Sequence, residues 1–276
     1  METDIEHLKK IARQIRVDIL TMLVEAGSGH TGGSLSAADI ITVLYFYKMR
    51  HDPKNPKWEE RDKFVLSKGH GAPALYAALG RAGYFGIEHF HTLRKMGSIL
   101  RGHPNSAVTP GVEVCTGSLG QGLSQANGLA LAARLDKKSA RVYVMLGDGE
   151  TDEGQVWEAA MTSAHYKIDN LCAILDNNGL QIDGPNKEVM NIEPIVGKWR
   201  SFGWHVIEIN GHEIGEIINA LNEAERIKGQ PTMIIAHTIK GKGVSFMENK
   251  VEYHGIAPTK GEYERAMKEL GINEKY

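Results

Sequence analysis

From residue 141 to residue 239 the chain alternates short apolar runs with helical patterns, and this alternation constrains the fold more than any other feature. "RVYVML", "LCAIL", "WHVIEI" and "PTMIIAHTI" read as strands, and "EGQVWEAAMTSAHY", "IEPIVGKWRSF" and "EIGEIINALNEAERI" read as the helices between them. Strands alternating with helices give a mostly parallel sheet covered on both faces. The first half fits the same plan. Apolar residues recur at three- and four-residue steps over 3–26, with Gly27 as the stop. A second helix is expected over 36–49, capped by Ser36, and "KFVLS" is a short strand running into the glycine-rich "KGHGAP". "PALYAALGRAG" is a helix of small residues, 97–118 is irregular, and another helix follows from Gln121 to Leu135. No repeat, low-complexity tract or long polar linker divides the chain. The expectation is one doubly wound α/β domain spanning 1–276.

Charge and composition narrow the function. With 32 basic and 34 acidic residues the net charge is −2, which gives no general reason to expect nucleic acid or an anionic membrane as partner. The first residues, "METDIEHLKKIARQIR", are charged and amphipathic, unlike a signal peptide, and no apolar run reaches the length of a membrane span. Cys115 and Cys172 lie in no ligand spacing and are expected to be two buried, reduced thiols, which suits the cytoplasm. Against only 9 prolines stand 31 glycines, so backbone is expected to approach a ligand closely in several places.

Two strand ends carry the sharpest signal. "GDGETDEGQ" follows the first of the four runs, and "LDNNG" ends the second, so that Asp148 and Asn178 lie thirty residues apart with one helix between. In an open parallel sheet, ligands bind beyond the carboxyl ends of the strands. If these two strands are neighbours, a carboxylate and an amide oxygen converge there. A few hard oxygen donors suit Mg²⁺, which binds through one or two carboxylates together with substrate phosphates. Gly147, Gly149 and Gly154 let backbone amides approach an anion, and the helix starting near Glu153 offers its N-terminus to it. Either sequence alone would be an ordinary turn after a strand. The pair, in this order around a helix, reads as a Mg²⁺–diphosphate site.

The stretch from Gly147 to Gly184 resembles the thiamine-diphosphate motif, and in detail the transketolase family. "GSGHTGGSLS" (27–36), "LSKGHGAPALY" (66–76), "RGHPN" (101–105), "TGSLGQGLS" (116–124) and "HG" (254–255) fall in that family's order, so the likeness covers nearly the whole chain. The resemblance implies the thiamine-diphosphate-binding fold, thiamine diphosphate and Mg²⁺ as cofactors, and Asp148, Asn178 and the main-chain carbonyl of Leu180 as metal ligands. It makes Glu153 the glutamate that links paired active sites across a dimer, and sets Gly117, Ser118 and Leu119 on the aminopyrimidine side of the cofactor.

Of twelve histidines, four stand beside glycine in loops: His30, His70, His103 and His254. Seven others (His7, His51, His89, His91, His165, His205 and His212) show no special neighbours and receive no role. Ketol transfer moves protons on sugar hydroxyls and carbonyls near neutral pH, work that suits imidazole. By resemblance His30, His70 and His103 line the donor pocket and His254 lies near the diphosphate. Two positions depart from the family, where proline is usual: Thr31 and Ser118. Both bear on loop rigidity and substrate preference more than on cofactor binding. Lys240 and Lys242, in "TIKGKG", read either as phosphate contacts or as a solvated turn.

Transketolases are usually about twice this length or more. The family holds the cofactor's aminopyrimidine in a second domain, whose glutamate hydrogen-bonds the pyrimidine ring, and only twenty-two residues follow His254. The chain therefore resembles the N-terminal subunit of a split transketolase. The resemblance implies a separate C-terminal subunit with the pyrimidine-binding domain as partner and sugar phosphates as substrates. The alternatives are a subunit of another thiamine enzyme such as 1-deoxy-xylulose-phosphate synthase, or a non-catalytic thiamine-diphosphate-binding protein. Four loop histidines and Glu153 speak against the last, since sequestering a diphosphate needs only the two strand ends. A plain nucleotide-binding sheet lacks its glycine-rich fingerprints here.

Overall fold

A computed structural model describes residues 4–272. Helix α1 (Ile5–Ala26) opens on Asp4, whose side chain accepts from the His7 amide, and closes on left-handed Gly27. The expected first residue of this helix, Thr3, lies outside the described residues. After α2 (Thr31–Ser36) and α3 (Ala38–Val43) comes a π-turn, Leu44–Lys48. β1 (Lys63–Leu66), α4 (Ala72–Ala82), α5 (Gln121–Leu135), β2 (Val142–Gly147), α6 (Gly154–His165) and β3 (Leu171–Asn177) follow. The chain continues through α7 (Asn186–Val189), α8 (Ile195–Ser201), β4 (His205–Asn210), α9 (Ile214–Arg226), β5 (Thr232–His237) and α10 (Lys260–Glu269).

The five strands form one parallel sheet in the order β1-β2-β3-β5-β4. Its central strands are apolar through their middle positions, with polar residues at the ends of β3 and β5, because both faces are covered. Tyr143 and Met145 of β2, Cys172 and Ile174 of β3, and Ile234 and Ala236 of β5 pack toward α1, α3, α4 and α9. Val142, Val144 and Leu146, Ala173 and Leu175, and Met233 and Ile235 pack toward α5, α6 and α8. The second layer holds a tryptophan cluster, with Trp157 and Trp204 at 5.1 and 5.0 Å from Trp199. The doubly wound parallel sheet is as the alternation predicts.

Three local expectations are corrected. The helix expected over 36–49 instead starts at Thr31, breaks at Ala37 and ends in the π-turn. Ser36 caps nothing: its buried hydroxyl bonds the Gly33 carbonyl and the carboxylate of Asp176, at 2.6 Å, so a tertiary partner has displaced the cap. Cys172 is buried but Cys115 is exposed, because its loop passes over the surface. Helix α10 is an addition to the expected elements, although Thr259 and Glu262 form a capping box that spells its start. The irregular reading of 97–118 holds.

Candidate active site

β2 and β3 are direct neighbours, with Gly147 opposite Asp176, so the strand ends bearing Asp148 and Asn178 do converge. Beyond them opens a cleft of about 420 Å³. His30, His70, His103, Gly117, Leu119, Gly147, Asp148, Gly149, Glu153, Asn178, Leu180 and His254 all line it. Ser118 does not: it is exposed, the residue between two that face the cleft.

Asp148 is 2% exposed, and its carboxylate is tightly held. One oxygen accepts from the Gly149 amide at 2.8 Å, the other from the Gly179 amide at 2.6 Å and the Asn186 amide at 2.9 Å. Burial, and next the charge of Asp176, push this carboxyl up to about 6. A buried carboxylate so disfavoured in its ionised form is suited to a cation. The Asn178 oxygen accepts from the Leu180 amide at 3.2 Å, and the Leu180 carbonyl accepts from the Lys240 ammonium at 2.9 Å. Carboxylate, amide oxygen and carbonyl are a hard-oxygen set of the kind a divalent cation with a diphosphate requires. Helix α6 points its N-terminus to the same cleft, with Glu153 at the cap position making no capping bond.

The four loop histidines meet in the same cleft. Ring centroids lie 5.1 Å apart for His30 and His70, 5.7 Å for His30 and His254, 5.3 Å for His70 and His254, and 6.4 Å for His30 and His103. Burial lowers all four pKa values, to about 4 for His30 and about 3 for His254. Nearby cations add to this: Arg94 beside His30 and His103, Lys68 beside His70, Lys240 beside His254. These imidazoles are neutral at pH 7 and serve as donors and acceptors. The Nδ1 atom of His30 is buried without a hydrogen-bond partner. Gly117, at φ +138°, makes room for His103, since a Cβ there would stand 3.0 Å from the imidazole. The Thr31 side chain donates to the Ile256 carbonyl at 2.6 Å, tying the loop of His254 to the start of α2.

Lys68 and Glu150 also line the cleft, and sequence reasoning missed them together with Asp176. Lys68 and Asp176, both buried, form an ion pair; Lys68 also donates to the Gly33 carbonyl at 2.6 Å, and Thr238 donates to Asp176. Glu150, buried, accepts from the Ser67 hydroxyl at 2.5 Å and from the amides of Gly120 and Gly147 at 2.9 and 3.1 Å, clamping three loops together. Lys240 is 2% exposed and donates to His254 Nδ1 at 2.8 Å, so the solvated-turn reading fails for it; Lys242 is only partly buried. His212, given no role, accepts from the Ile239 amide at 2.8 Å and meets Asp39 at 2.7 Å, fixing the start of the "TIKGKG" loop. Polar residues ending or interrupting apolar runs (Lys68 after "FVLS", Asp176 after "CAIL") were the available signal.

Comparison with known proteins agrees with this geometry. Residues 7–276 match the family model "Transketolase, thiamine diphosphate binding domain". The chain is 46% identical over 269 residues to the 6-deoxy-6-sulfo-D-fructose transketolase subunit SqwG of Clostridium sp. (strain MSTE9), covering 98% of this chain and 97% of that relative. It is 45% identical over 266 residues to an apulose-4-phosphate transketolase subunit of Phocaeicola vulgatus, covering 96% and 94%. Among solved structures, transketolase from Leishmania mexicana superimposes with a TM-score of 0.92 at 34% identity, covering 98% of this chain but 42% of that one. The chain belongs to the transketolase family, as a thiamine-diphosphate-dependent transferase subunit of its N-terminal, diphosphate-binding type.

Proposed function

We propose that this chain, joined to a separate C-terminal-type subunit, transfers a two-carbon ketol unit from a ketose bearing a terminal phosphate or sulfonate to an aldose phosphate. The observation that carries the reading is the convergence of four neutral imidazoles on the same cleft as Asp148, Asn178 and the Leu180 carbonyl. End-to-end similarity to chains named as transketolase subunits supports a partner in the assembly. The named substrates of those relatives, a sulfonated fructose and apulose 4-phosphate, support an anionic ketose.

In this reading Asp148, Asn178 and the Leu180 carbonyl hold Mg²⁺, and the backbone around Gly149 with the N-terminus of α6 receives the diphosphate. Gly117 and Leu119 flank the aminopyrimidine side. When bound, thiamine diphosphate supplies the nucleophilic carbon that cleaves the bond beside the donor carbonyl. His30, His70 and His103 hydrogen-bond the donor's oxygens and relay their protons, and His254, oriented by Lys240, contacts the diphosphate. Glu153 communicates between paired sites. Free thiols at Cys115 and Cys172 suit a cytoplasmic setting.

The test uses the chain reconstituted with its partner subunit. His30→Ala and His103→Ala are expected to lower turnover of a ketose phosphate by ~10²–10⁴-fold, with thiamine diphosphate affinity within a few-fold of wild type. Turnover within twofold of wild type for both variants would overturn the assignment.

A further inference from the structure

The loop 117–119, which flanks the aminopyrimidine side of the cofactor in the reading above, is anchored only at its ends. Among the described residues the amides of Gly117, Ser118 and Leu119 donate no hydrogen bond. On one side the Thr116 amide donates to the Pro104 carbonyl at 3.3 Å, and on the other the Gly120 amide donates to Glu150 Oε1 at 2.9 Å. The second oxygen of that carboxylate, Oε2, accepts from the amide of Gly147, the residue before Asp148, at 3.1 Å.

Glu150 is 3% exposed and lines the cleft from the turn after β2. Two backbone amides on two different oxygens need an acceptor at both, which a carboxylate offers and a carboxamide does not. The third donor, the Ser67 hydroxyl, shares Oε1 at 2.5 Å. These partners differ in reach. Gly147 lies three residues before Glu150, whereas Gly120 and Ser67 lie 30 and 83 residues away in sequence. Gly120 is confined on its other side as well: at φ +81° a Cβ there would stand 2.9 Å from Glu153 Cβ. One residue is thus wedged between the Glu150 carboxylate and the side chain of Glu153.

We infer that Glu150 is a positioning residue that sets the span of the cofactor site, tying its diphosphate end at Gly147 to the aminopyrimidine-side loop through Gly120. The inference rests on the placement of those two ends given under the proposed function.

The enzyme reconstituted with its partner subunit is titrated calorimetrically in Mg²⁺ with thiamine diphosphate and with inorganic pyrophosphate, which occupies the diphosphate end alone. In Glu150→Gln the carboxamide oxygen keeps Gly147 and its NH₂ group donates to Ser67 Oγ, which accepts as readily as it donates, so the Gly120 amide is released. Glu150→Asp keeps the charge and the local bond to Gly147 but falls a methylene short of Gly120. Both variants are expected to weaken thiamine diphosphate about 10- to 100-fold, the loss for a hydrogen bond to a charged group, with pyrophosphate within about threefold of wild type. Ser67→Ala leaves both amides bonded and should hold thiamine diphosphate within about threefold of wild type. Equal losses of the two ligands, or none, overturn the inference, as does a loss in Ser67→Ala as large as in Glu150→Gln. Failure of both Glu150 variants to assemble assigns the residue to the fold and overturns it too. Asp148→Ala tests the placement beneath, since pyrophosphate affinity should disappear. Affinity retained there overturns the placement and the inference together; affinity lost there, without a selective loss in the Glu150 variants, overturns the inference alone.

Discussion

His30 and His254 are pushed down to about 4 and about 3, chiefly by burial, from an ordinary value of 6.5. His70 shifts in the same direction. In the folded chain these imidazoles stay neutral at pH values where the unfolded chain already takes up protons. The unfolded state thus binds more protons between about 6.5 and 4, and linkage makes the cofactor-free chain lose stability as pH falls through that window. Asp148 opposes this. Raised to about 6, it holds a proton in the folded state that the unfolded carboxyl gives up until about 3.8, so its share of stability grows as pH falls from 6. His103 shifts with the other imidazoles, while Glu113 and Glu150, also raised by burial, act with Asp148. Between pH 7 and 5 the four imidazoles, whose unfolded forms protonate first, leave a net loss. Urea midpoints of the chain alone should therefore decline from pH 7 to pH 5, and His30→Asn combined with His254→Asn should flatten the decline. Identical slopes in both proteins would show that other groups govern acid sensitivity.

At the scale of elements, the period of the apolar pattern was sufficient wherever packing alone decides. The strands of the sheet, α5, α6 and α9 lie where their patterns put them. The pattern misled where a polar tertiary contact took over, as at Ser36, whose hydroxyl turns to Asp176 across 140 residues of sequence. Trp199 in α8 marks what the second layer contributes: it is fully buried between Trp157 and Trp204. Trp199→Ala should destabilise the chain by about 3–5 kcal/mol, the usual range for emptying a buried aromatic site. Chemical denaturation measures it, and a loss below about 1 kcal/mol would mean that α8 collapses onto the gap.

At the scale of the molecule, apolar side chains remain at the surface around the cleft and along α6. Ile182, in the loop after β3, and Met190, just after α7, are 64% and 58% exposed, and Met161 and Tyr166, on α6 and just after it, are each 55% exposed. Ile182 lines the cleft itself. Burying these groups is a favourable contribution to assembly with a second subunit. Mixed with its partner, the chain should form a complex of two copies of each subunit, read by light scattering, and gain ketol transfer that it lacks alone. Full transfer by the rigorously purified chain on its own would sink the two-subunit reading.

The sequence by itself determined the sheet and the two strand ends. Alternation of apolar runs is a local, periodic property, and glycine beside Asp148 and Asn178 is a local backbone requirement. Family resemblance added the loop histidines. Tertiary structure alone decided what supports them: the Lys68–Asp176 pair, Glu150 across three loops, and Lys240 beneath His254. Each is a single polar side chain whose partner is distant in sequence. No period or spacing signals such a contact, because its free energy depends on burial and on a neighbour that only the folded chain brings near.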